Sequence, residues 1–171
     1  FCSCSCLSNI TIPQNVTHID SGVFKDCTSL TNVVFEENSA LQTLGDEHTD
    51  PNKYYYGVFQ GCTSLRSIKI PDSITSTGDA TFRDCTALET VHLPNSLKEV
   101  RRQTFNGCSL LTNITIPDSA TSIGTEAFMS CSGLTSIAIP DNVKTVDYDA
   151  FKDCTSLKSV NIGSGMESMS S

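Results

Sequence analysis

The sequence predicts a β-rich solenoid with one short parallel strand per repeat. Three observations lead there: one phrase recurs along the chain, the recurrence holds its register, and its apolar positions alternate. The phrase is F-x-x-C-x-x-L-x-x-[IV]-x-[IL]-P, and its phenylalanines are Phe1, Phe24, Phe59, Phe82, Phe105, Phe128 and Phe151. Each step is 23 residues except Phe24 to Phe59, which is 35. A fixed period of this size marks units that stack along one axis. Burial within one unit is too small to offset the entropy of ordering it, so neighbours must share an interior.

Each part of the phrase has its own physical reading. After the Phe and Cys comes a leucine column, Leu7, Leu30, Leu65, Leu88, Leu111, Leu134 and Leu157. Alternating β-branched and aliphatic residues follow, as in Ile68 and Ile70 or Ile137 and Ile139. Period-two alternation is the strand signature. Pro13, Pro71, Pro94, Pro117 and Pro140 close the strand, since proline donates nothing to a ladder. A polar turn and a second apolar pair come next, such as Val16/Ile19 and Val143/Val146, which suits a short second strand. The following A-F-x-x-C is too short for an α-helix and is read as a single helical turn. Thr77 and Ala120 interrupt otherwise aliphatic columns, and looser packing is expected there.

Seven of the nine cysteines keep the period: Cys4, Cys27, Cys62, Cys85, Cys108, Cys131 and Cys154. Stacked neighbours would sit about 4.8 Å apart with parallel Cβ vectors, an arrangement unlike that of a disulfide. A buried ladder of reduced thiols acting as small apolar residues is the expectation. Cys2, Cys4 and Cys6 leave open a metal site or one local disulfide.

At these residues the chain resembles the BspA-like, Treponema-type leucine-rich repeats. The resemblance covers residues 1–162 and is most complete from Cys108 to Phe128 and from Cys131 to Phe151. It implies a leucine-rich-repeat solenoid, curved, with the strands lining a concave sheet and the turns and second strands on the convex side. It also implies a cell-surface or secreted protein used for attachment to host proteins or other cells. The second repeat departs from the pattern: Glu36 replaces the proline, and twelve extra residues are present, which are read as one insertion loop at 45–57. One domain of about seven repeats is thus expected over 1–162, with 163–171 as a flexible tail or linker.

Two outward-facing columns flank the inward strand residues. One reads Thr11, Val34, Lys69, His92, Thr115, Ala138, Asn161; the other reads Asn9, Asn32, Ser67, Thr90, Asn113, Ser136, Ser159. Lys69, Thr90, His92, Asn113 and Thr115 are the candidate ligand contacts on this face. The insertion adds Tyr54, Tyr55 and Tyr56, a cluster that suits recognition. The expected partner is a protein on a host or cell surface, or a glycan, and end-to-end self-association of the solenoid is a further expectation.

Composition narrows the alternatives. Eleven basic against nineteen acidic residues give a net charge of −8, which disfavours nucleic acid. No apolar run approaches a membrane span. The start inside a repeat, at Phe1, reads as a processed product or fragment. No nucleotide-binding, hydrolase or metalloprotease motif occurs, so no enzyme activity and no cofactor are expected. The other functional class that fits is an intracellular scaffold or sensor segment of a larger protein.

Overall fold

The computed structural model describes residues 1–45 and 56–170. The chain winds as a solenoid of parallel strands, and among the described residues there is no helix. Each coil carries two strand positions separated by a turn. The first column comprises β1 (Asn9–Ile12), β3 (Asn32–Phe35), β5 (Ser67–Lys69), β7 (Thr90–His92), β10 (Ser136–Ile139) and β12 (Ser159–Ile162). The second comprises β2 (His18–Ile19), β4 (Thr43–Leu44), β6 (Ser76–Thr77), β8 (Glu99–Val100), β9 (Ser122–Ile123), β11 (Thr145–Val146) and β13 (Ser168–Met169).

In the first column the ladder closes in pairs, β1–β3, β5–β7 and β10–β12; residues 113–116 are not assigned as strand. The second column is more continuous, in runs β2–β4–β6 and β8–β9–β11–β13. Register follows the repeat: Ile10 lies beside Val33, Lys69 beside His92, Ile137 beside Val160. Inward residues such as Ile68, Val91 and Ile137 are buried, while their alternates are exposed, as period-two pleating requires.

The phenylalanines form a continuous stack from Phe1 to Phe151, with successive ring centroids 5.3–5.6 Å apart and ring planes within 2–16° of parallel. The Phe backbone adds a third ladder: Phe24 N–H donates to Val58 C=O at 2.9 Å, and Phe105 N–H to Ala127 C=O at 2.8 Å.

Around each Phe the chain makes tight turns rather than the expected helical turn. Cys62 N–H reaches back to Phe59 C=O at 3.0 Å, but left-handed residues stop any continuation. Two residues after the Phe stand Asp26, Gly61, Asp84, Gly107, Ser130 and Asp153, all at positive φ. Gly22, Ala80, Gln103, Glu126 and Asp149, two residues before it, are also at positive φ. Gly107 shows why this matters: a Cβ there would lie 2.6 Å from Asp84 Oδ1.

The cysteine column is a ladder of free thiols, buried from Cys27 onward. Each is more than a small apolar filler. Its Sγ–H donates to the Phe carbonyl of the preceding coil, from Cys27 to Phe1 through Cys154 to Phe128, at 3.1–3.2 Å. Burial pushes the Cys62 thiol up to about 12 and holds Cys85 and Cys108 well above the ordinary range. Cys2, Cys4 and Cys6 are exposed and free.

Two further sequence expectations need revision. The segment from Gly163 is no loose tail: β13 pairs with β11, placing Ser168 beside Thr145 and Met169 beside Val146. Met166 packs on the core, so residues 163–170 form the start of a further coil. The twelve extra residues are not all in one place. The step between second-column strands shows it: His18 pairs with Thr43, two residues beyond the period, so two extra residues sit in the turn between β3 and β4. The remaining ten fall at 46–55, outside the described residues. Thr77 is buried at 2% exposure, and its Oγ1 has no hydrogen-bond partner; Ala120 is fully buried.

Candidate binding groove beside the first strand column

Three adjoining hollows run along the solenoid, between the outward column of the first strands and the turn that follows them. The middle one, about 420 Å³, is lined by Lys69, Thr90, His92, Asn95, Asn113 and Thr115, among others. It shares Lys69 and Asp72 with a hollow of about 400 Å³ walled by Phe35, Glu36, Glu37, Asn38 and Ser39. On its other side it shares Ile114 and Thr115 with a hollow of about 370 Å³ that reaches Asp118, Asp141 and Asn161. Together they make one shallow groove across six coils.

Parallel register brings the five strand-face candidates together. β5 and β7 set Lys69 directly beside His92, and Ser67 beside Thr90, with all four side chains exposed. Asn113 and Thr115 follow on the next coil. Neither Lys69 nor His92 has a hydrogen-bond or ion-pair partner among the described residues.

The groove also holds residues that pattern reading passed over. Asp72, Asn95, Asp118 and Asp141 occupy one turn position on successive coils. Two of them brace the neighbouring coil through their carboxylates: Asp141 Oδ1 accepts from Ser164 N–H at 2.7 Å, and Asp72 Oδ1 from Asn95 N–H at 3.3 Å. Glu36 Oε2 does the same for Gln14 N–H at 2.9 Å. The turn at 36–39, marked in the sequence by its missing proline, also carries two extra residues and puts Asn38 at positive φ. The signal was Glu36 itself, standing where five of the seven repeats have proline.

The tyrosines lie elsewhere. Tyr54 and Tyr55 are outside the described residues. Tyr56 does not line the groove. It sits on the turn leading into Phe59, with Lys25 Nζ 5.0 Å from its ring centroid, a cation–π contact between neighbouring coils. Chemically the groove offers hydroxyls, carboxamides, carboxylates and two basic groups. Among the described residues no set of three metal-ligating side chains comes together.

The sequence matches the BspA type leucine rich repeat region in six copies, over residues 1–48 and 52–171. The chain belongs to this family. Among curated proteins none matches it. The structure of a Treponema pallidum leucine-rich repeat protein is similar, with a TM-score of 0.79 and 25% identity over 90% of this chain and 68% of that one. A leucine-rich cell surface protein from Faecalibacterium prausnitzii aligns with a TM-score of 0.60 and 25% identity, over 93% of this chain and 60% of its own. A leucine-rich repeat protein from Eubacterium ventriosum shares the fold at 21% identity, with a TM-score of 0.64, 96% of this chain and 57% of that one being covered. This leucine-rich-repeat chain thus spans about two thirds or less of the length of these relatives. Proteins of this kind are generally protein-binding. Among the described residues no helix is long and apolar enough to cross a membrane.

Proposed function

We propose that this chain is a non-enzymatic binding module of a cell-surface or secreted protein, mediating adhesion by holding a protein partner in the groove along its first strand column. The observation that carries the reading is the groove itself. Its walls include the turn at 36–39 that lacks proline and carries two extra residues, and its floor presents Lys69, Thr90 and His92 on paired strands, with Asn113 and Thr115 on the next coil. Solenoids use such extended faces for recognition, and residues on a rigid sheet lose little entropy on binding. The surface placement is supported by the cell surface description of the Faecalibacterium relative. Tyr56 makes a second, separable contact, because it stands apart from the groove.

A displayed library of random peptides panned against the folded chain tests this. Enriched peptides should bind the native protein and lose about tenfold or more in affinity to Thr115→Trp, whose bulk fills the exposed groove floor. Melting temperature should be unchanged, since Thr115 is exposed. Peptides that ignore Thr115→Trp would remove the groove from the reading. Tyr56→Ala should leave groove-bound peptides unaffected.

A further inference from the structure

The charges of this solenoid fall into two populations. Outside the groove they are largely paired: Arg66 with Glu89, Arg101 with Asp79 and Glu99, Lys144 with Glu167, Lys152 with Asp149. Inside it no charged group meets an opposite charge among the described residues. Glu36, Glu37, Asp72, Asp118 and Asp141 accept backbone N–H groups or face solvent, and none pairs with a cation among the described residues. Lys69 and His92 stand in the centre with no acidic partner among the described residues.

Their order along the axis is patterned. At one end Glu36 and Glu37 face Asp72, the strand floor of the middle coils brings Lys69 and His92 side by side, and Asp118 and Asp141 lie at the other end. The groove therefore reads acidic, basic, acidic. The five coils from Glu36 to Asp141 span about 19 Å at the usual strand spacing, the length of roughly six residues of extended chain. The one phenyl ring in the lining, Phe35, is partly buried against the core. Unpaired charges preset on a rigid face favour a partner of complementary sign pattern, and they reject wrong partners by juxtaposing like charges. The net charge of −8 adds a long-range pull on basic partners.

Taking the groove as the binding surface, we propose that its occupant is an extended polypeptide segment with an acidic side chain at its centre and basic side chains on both flanks. The central carboxylate sits between Lys69 and His92. The flanking Lys or Arg side chains reach Glu36, Glu37 and Asp72 on one side and Asp118 and Asp141 on the other.

Two synthetic peptides test this by fluorescence anisotropy at low and physiological salt: one with arginines flanking a central glutamate, the other with every charge inverted. The native chain should bind the first at least about tenfold more tightly, with a preference that shrinks as salt screens it. A variant carrying Lys69→Glu, His92→Glu, Asp72→Lys and Asp118→Lys, all at exposed positions, should prefer the inverted peptide. Reversal of preference by reversal of the protein's charges is not expected of a merely structural role. Equal binding of both peptides, no binding of either, or preference for a neutral oligosaccharide overturns the proposal. If library-selected peptides are lost in Thr115→Trp yet carry no such charge order, the groove stands as the binding surface and the charge inference alone falls.

Discussion

Thr77 and Thr81 are buried threonines four residues apart, and they should respond in opposite directions to one substitution. Thr77 closes β6 in a column otherwise filled by Leu44, Val100, Ile123 and Val146, and its Oγ1 has no partner. Thr81 is fully buried, but its Oγ1 donates to Gly78 C=O at 2.7 Å. Valine has the shape of threonine with the hydroxyl replaced by methyl. At Thr77 the change removes an unsatisfied polar atom, which costs about 1–3 kcal/mol to keep buried. Part of that gain is lost to adjustment of the facing side chains, so Thr77→Val should stabilise by about 1–2 kcal/mol. For a chain of this size the melting temperature should rise by roughly 3–6 °C. At Thr81 the same change leaves Gly78 C=O without its hydroxyl donor, and a loss of about 1 kcal/mol is expected. Thermal and urea unfolding of the two variants measure both signs. A destabilised Thr77→Val would show that the hydroxyl is satisfied, and the reasoning on this column would fail.

Two further outcomes follow from the backbone and the thiols. Gly107→Ala should destabilise by at least about 1–2 kcal/mol in urea titration, because positive φ penalises a Cβ and this Cβ would meet Asp84 Oδ1 at 2.6 Å. Ser130→Gly, at φ 61 in the same column, should be neutral or stabilising by up to about 1 kcal/mol. The raised thiols bear on alkaline stability. Cys62 moves from an ordinary 9.0 to about 12, so the folded state holds its proton where the unfolded chain has released it. Stability is then complete below pH 9.0 and falls as pH rises towards about 12, by up to about 1.4 kcal/mol per pH unit for each such thiol. Urea midpoints measured from pH 8 to 11 should decline, and Cys62→Ala should decline less steeply.

The repeat was legible because stacking demands the same side chain at the same place in every coil. Phe, Cys, Leu and the strand aliphatics therefore announce themselves by period alone, and the columns they predicted are the columns observed. What period cannot show is backbone handedness. Asp26, Gly61, Asp84 and Ser130 look like varied loop residues until their shared positive φ explains them. Counting also fails to place an insertion: the Phe spacing records twelve extra residues, yet only strand register divides them between 36–40 and 46–55. The strand-face candidates were readable from alternation. Asp72, Asp118 and Asp141 were not, because aspartate after proline is ordinary turn chemistry and gains meaning only where the turn forms a wall.

The sulfur ladder gives the stack a polarity that its near-identical repeats conceal. Each thiol serves the carbonyl of the coil before it, so trimming Cys108 to alanine strips a donor from Phe82 C=O and takes nothing from Phe105. Damage to one rung is thus passed towards the amino terminus, while the coil downstream keeps its own sulfur contact through Cys131.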